Sequence, residues 1–100
     1  METYDVEIMP QAENELFEIG YFIALNNPKN SQQFIVELVA VFTDSLSSSP
    51  EIGAVYQDDI RKLTYKKYTA FYRINLSKKR VEILHIVNLT KPLSARNIEF

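Results

Sequence analysis

The sequence contains no cysteine. A disulfide framework and a thiolate metal site are both excluded, and nothing in the composition points to an oxidising compartment. Cytosol is the default expectation. Tryptophan is also absent, glycine occurs only at positions 20 and 53, and histidine only at position 85. Such sparse glycine cannot build a phosphate-cradling loop, and a lone histidine cannot form a histidine pair around a metal. No cofactor and no metal is expected. No apolar run approaches the length of a membrane span. The N-terminus alternates acidic and apolar residues and lacks the basic-then-apolar pattern of a secretory signal, so neither leader nor membrane segment is expected. Serines gather in loops, as in Ser47-Ser48-Ser49 before Pro50, without the nucleophile-elbow pattern that Ser-His-Asp chemistry uses.

What is present is charge, sorted along the chain. Residues 1–59 hold eleven Asp/Glu against one Lys, and residues 60–100 hold ten Lys/Arg against two Asp/Glu. The overall charge of −2 therefore hides a basic C-terminal region suited to an acidic partner, phosphate-bearing or peptidic. One hundred residues provide for a single domain, 1–100, with one core.

Tyr4, Val6 and Ile8 alternate with Asp5 and Glu7, the period-two signature of a half-buried strand over roughly residues 3–8. Pro10 suits the first turn of a helix, where its missing N–H would be unpaired anyway, and Glu13 and Glu15 sit where the helix dipole favours anions. Ala12, Leu16, Ile19 and Ile23 then share one helical face. Asn26-Asn27-Pro28 supplies a stop and a new start, with asparagine a good cap. A second helix runs to about Leu46, with Phe34, Ile35, Leu38, Val39, Val41 and Phe42 as its apolar stripe. Ser47 to Asp59, with Pro50 and Gly53 and no clean periodicity, is expected to be a loop. Ile60–Tyr65, Tyr68–Leu76 and Arg80–Leu89 are rich in β-branched and aromatic residues and read as three consecutive antiparallel strands. The last is apolar on both faces, hence interior to the sheet with helices on at least one side. The expected fold is α+β in the order β-α-α-β-β-β, a helical hairpin on a mainly antiparallel twisted sheet.

His85 falls by the period-two count on the face of Val81, Ile83, Val87 and Leu89, where a structural role is expected. Glu13, Glu15 and Glu18 have the spacing of a solvated helix face rather than of an acid/base pair. The basic set is Arg61, Lys62, Lys66, Lys67, Arg73, Lys78, Lys79 and Arg80. Lysines blunt exposed sheet edges, which is one role for such a set. The other is binding: Arg61, Lys66, Lys67 and Arg73 lie on a predicted hairpin interleaved with Tyr65, Tyr68 and Tyr72, a surface that could hold phosphates, stack bases or pair with carboxylates. The binding reading requires the cations beyond position 59 to converge on one accessible surface.

With strand, helical hairpin and basic meander in that order, the chain resembles toxins of the RelE/ParE superfamily from bacterial type II toxin–antitoxin modules. The resemblance spans nearly the whole length, carried by YDVEIMPQAENEL at 4–16, IRKLTYKKYTAFYRI at 60–74 and VEILHIVNL at 81–89. It implies a growth-inhibiting toxin of a plasmid-stabilisation module, silenced by a cognate antitoxin whose flexible segment folds on binding, and present as a homodimer or a toxin–antitoxin hetero-oligomer. The RelE-like branch cleaves messenger RNA in the ribosome by metal-free chemistry, in which basic residues stabilise the charge that develops on the phosphate. The ParE-like branch poisons DNA gyrase. RelE-like members tend to carry an arginine after the tyrosine that opens the third strand, where this chain has Thr69 after Tyr68; after the last strand family members commonly show a His or Gly followed by paired arginines, where it has Asn88-Leu89-Thr90-Lys91-Pro92. These departures favour the ParE-like branch. The alternatives are a RelE-like nuclease, with Arg61, Arg73 and Lys91 as its catalytic candidates, and a non-toxic interaction module that keeps the fold. For contact with target or antitoxin the resemblance and the charge pattern together single out Arg61, Lys62, Lys66, Lys67, Tyr68, Arg73, Lys91 and Arg96.

Overall fold

A computed structural model describes residues 3–88. Along the chain these form β1 (Asp5–Ile8), α1 (Pro10–Asn26), α2 (Pro28–Ser48), β2 (Ala54–Gln57), β3 (Ile60–Tyr65), β4 (Tyr68–Asn75) and β5 (Arg80–Asn88). The five strands make one sheet in the order β1-β5-β4-β3-β2, with β1 parallel to β5 and every other pairing antiparallel. The α+β class stands, with one strand more than expected.

Each helix begins with proline in its first turn, and Asn27 serves both, ending α1 and preceding Pro28. Its side chain makes no capping bond; the backbone N–H of Asn27 donates to the Ile23 carbonyl instead. The helices lie antiparallel, stitched by Ser31 Oγ donating to the Gly20 carbonyl at 2.6 Å. Ala12 and Leu16 from α1 and Leu38, Phe42 and Leu46 from α2 bury against Tyr68, Ala70 and Tyr72 of β4 and Val81, Ile83 and Ile86 of β5. Spacings of four along each helix deliver these residues to one face, and burial of that face stabilises both layers.

Two expectations need correction. The first concerns the segment expected to be a loop from Ser47 to Asp59, which contains β2 and whose first two residues finish α2. All four β2 residues are exposed, so this edge strand owes its form to backbone pairing with β3 and leaves no hydrophobic pattern to read. The second concerns His85. Across β4 and β5 the register passes from Phe71↔His85 to Tyr72↔Ile83, so Leu84 is an extra residue and β5 bulges there. Alternation slips at that point. Val81, Ile83 and Ile86 join the helix-side core, whereas Leu84 and Val87 pack with Ile60 and Phe71 on the opposite face. His85, partnered with Phe71, therefore does not share the face of Val81 and Ile83.

Candidate functional site

Lys66 and Lys67 form the turn between β3 and β4, and Lys66 takes the left-handed conformation at φ 55° that such a tight reversal needs. Its ammonium does not project freely. Lys66 Nζ lies 2.9 Å from Oε2 of Glu37 on α2, and the Tyr65 hydroxyl donates to the same oxygen at 2.9 Å. The Lys66 bond, then the Tyr65 bond, hold the Glu37 carboxyl below its ordinary range, and Glu37 raises the Lys66 ammonium. The ammonium also sits over the rings of Phe34 and Tyr65, at 5.5 and 5.3 Å. Tyr68 packs its ring on Phe34 behind the turn, with centroids 5.5 Å apart, and burial raises its phenol.

Arg61 is tied to the segment between α2 and β2. Its Nη1 donates to the Gly53 carbonyl at 2.9 Å and to the Glu51 carbonyl at 3.2 Å. The fully buried Tyr72 completes this node: its hydroxyl donates to the Pro50 carbonyl at 2.8 Å and accepts from the Gly53 N–H at 2.9 Å. Burial, opposed by the Gly53 bond, pushes the Tyr72 phenol up.

On the face turned from the helices, Arg73 and Arg80 converge on Glu82, whose side chain is only 6% exposed. Arg73 Nε donates to Oε1 at 2.7 Å and Arg80 Nη2 to Oε2 at 2.8 Å. Arg80 Nε lies a further 3.3 Å from Glu7 Oε2 on β1, an ion pair without hydrogen-bond geometry. The Arg73 bond outweighs burial and holds the Glu82 carboxyl below the usual carboxylate range. Lys62 points out on β3 with its ammonium 5.6 Å from the Tyr56 ring centroid.

The described members of the predicted binding set thus do not converge. Lys66, Lys67 and Tyr68 share the β3–β4 turn, Arg61 belongs to the β2 loop, and Lys62 and Arg73 lie on the other face. Lys78 and Lys79 occupy the turn at the far end of β4, about 25 Å from Lys66 at strand rise. Lys91 and Arg96 lie outside the described residues. Sequence distance misled here because the acidic partners come from the first half of the chain or from within β5. Among the described residues no group of three or more His, Cys, Asp and Glu side chains could hold a metal ion. No helix there is long and apolar enough to cross a membrane.

A family profile described as "ParE toxin of type II toxin-antitoxin system, parDE" matches residues 6–88, from β1 to the end of β5. The chain belongs to the ParE toxin family. No curated protein matches it in sequence. Among solved structures, this ParE-family chain is similar to the chromosomal ParDE toxin–antitoxin system of Pseudomonas aeruginosa, with TM-score 0.75 and 18% identity over 87% of this chain and 97% of that one. The toxin–antitoxin complex RelBE2 of Mycobacterium tuberculosis gives 0.69 and 20% over 88% and 93%. The isolated RelE toxin of Escherichia coli gives 0.57 and 18% over 92% and 90%. At such identities these similarities speak to fold, which both branches share.

One acidic residue expected to be merely solvated has a defined place in the ParE-family fold. Among the described residues β1 ends its pairing at Ile8↔Ile83, and no strand continues it along β5 beyond the bulge. Glu15 fills the gap from α1: Oε1 accepts from the Ile86 N–H at 3.1 Å, and both oxygens lie 3.2 Å from His85 Nδ1. Its helical spacing alone gave no signal, because the partners are seventy residues downstream. Only the single histidine on an apolar strand hinted that a polar partner was required.

Proposed function

We propose that this toxin acts in the ParE-like manner, inhibiting growth through a protein contact with DNA gyrase, and that an antitoxin segment silences it. The observation that carries this is the pairing of Arg73 and Arg80 with Glu82 and Glu7. Metal-free RNA cleavage needs cations whose charge is available to a phosphate as negative charge develops. Here the two arginines of the open face are already held by a buried carboxylate, and diverting them would leave that carboxylate unpaired at a cost of several kcal/mol. Lys62, Lys67 and the outer side of Arg61 lie on different parts of the sheet and add a diffuse positive field that favours approach of an acidic protein surface.

Antitoxin capture is supported by the outer surface of the helical hairpin. Leu16, Phe17, Gly20, Tyr21 and Ile35 line an apolar groove of about 580 Å³, in which Phe17 is 72% exposed. An amphipathic segment that folds into this groove would bury apolar area, and the exposed strand β2 at the edge of the sheet offers a separate site for strand addition. The test is induction of the toxin with and without its neighbouring antitoxin gene. Growth arrest with DNA breaks, an SOS response and inhibited supercoiling by purified gyrase is the expected outcome. Ribosome-dependent transcript cleavage with supercoiling intact overturns the gyrase reading, and absence of arrest at full expression overturns toxicity itself.

A further inference from the structure

We propose that the outer face of α1 joins two copies of this chain in an antiparallel, two-fold dimer, which the antitoxin segment has to displace. The displacement rests on the antitoxin reading given above; the self-pairing does not. Phe17, Tyr21 and Leu25 recur every four residues along α1, so they stand in one row, and each is more than half exposed. Together they present on the order of 400 Å² of apolar area per copy, within the range of patches that mark an interaction surface. A standard stable interface buries about 800 Å² per partner, so this area suits a reversible dimer with a dissociation constant on the order of micromolar.

Charge singles out a second copy as the occupant. One four-residue step back from Phe17 stands Glu13, at the opening of the groove between the helices, and Lys29, the sole cation of residues 1–59, stands at the hairpin's other end, where α2 begins. Both are exposed. About 20 Å of helix separates Glu13 from that end, so the two charges do not meet within one copy. Reversing the row onto itself about Tyr21 sets Phe17 against the partner's Leu25, Tyr21 against its own counterpart, and Glu13 against the partner's Lys29, twice by symmetry. No like charges face each other in that register. Gly20 agrees with a close approach at the axis. A Cβ there would meet Ile35 and Ser31 at 3.5 and 3.8 Å, ordinary contact, so the packing of one copy does not require the glycine that weakens the middle of α1.

Sedimentation equilibrium of the purified full chain should show monomer and dimer in exchange. Glu13→Lys and Lys29→Glu, both exposed changes, should each weaken the dimer about tenfold, and the two combined should restore it to within about threefold of the original chain. A chain that stays monomeric, single reversals without effect, or a combined variant no better than either single overturns the self-pairing. The underlying reading is tested apart. Because the chain has no cysteine, Glu13→Cys combined with Lys29→Cys can be locked between copies by a short bismaleimide. The locked dimer should fail to bind the antitoxin of the neighbouring gene, which the untreated variant should bind. Equal binding by both leaves the self-pairing standing and overturns the groove as the antitoxin's seat.

Discussion

Gly53 shows how one residue type is dictated by its surroundings. A Cβ built there would meet the Lys62 carbonyl oxygen and the Tyr72 hydroxyl, each at 2.5 Å, and neither has room to retreat. Gly53→Ala should therefore destabilise by about 3 kcal/mol, through displacement of the β2 loop, read as a lower urea midpoint. Tyr72→Phe keeps the ring but strips two hydrogen bonds, stranding the Gly53 N–H and the Pro50 carbonyl, for a loss of about 2 kcal/mol. Arg61 holds the same loop from outside, where water can substitute. Arg61→Ala should accordingly cost only about 1 kcal/mol, leave the chain folded, and reduce growth inhibition at equal expression. Full toxicity in that variant would remove Arg61 from the target surface. Arginine at position 61 was legible in the sequence as one of the cations of a predicted hairpin; its backbone partners were not, because they belong to a segment without periodicity.

At the level of elements, β1, β4 and β5 are joined by side chains as well as by their ladders, through Glu7, Arg80, Glu82 and Arg73. Because the folded Glu82 carboxyl is held low by Arg73, it contributes stability above the unfolded carboxylate value of about 4.3, and that stability is lost as pH falls through its folded value. Urea midpoints should thus drop between pH 6 and pH 3. Glu82→Gln should lower the midpoint at pH 6 and flatten the acid limb; a limb of unchanged steepness would assign the acid sensitivity to other carboxylates. The strands and helices themselves were largely legible. Alternation marked β1, proline and asparagine marked both helix starts, and β-branched runs between paired lysines marked β3 to β5 within one or two residues. β2 was not, since an exposed edge strand has no burial pattern, and the bulge at Leu84 was not, since an inserted residue in a strand apolar on both faces changes no hydropathy. The parallel β1–β5 pairing was equally hidden, being a contact between the two ends of the described chain.

For the whole molecule, the linear separation of charge is partly undone by folding. Lys66 pairs with Glu37, Arg80 with Glu7 and His85 with Glu15, each pair joining the acidic first half to the basic second. These contacts knit the helices and β1 to the meander, yet the Lys66–Glu37 pair is about half exposed and contributes little in salt. The cations left over, Lys62, Lys67 and Lys78 among them, remain as a diffuse field rather than a focused site. Two salt responses should therefore diverge. Raising ionic strength from 50 to 500 mM should move the urea midpoint only slightly, whereas association with an acidic antitoxin segment should slow by about tenfold as the Debye length shrinks below the reach of that field. Stopped-flow mixing over that range measures the second, with dissociation expected to change far less, since the docking proposed above buries apolar area in the hairpin groove and salt does not screen that burial. An association rate indifferent to salt would mean that the charge sorting of this chain serves its internal pairs alone.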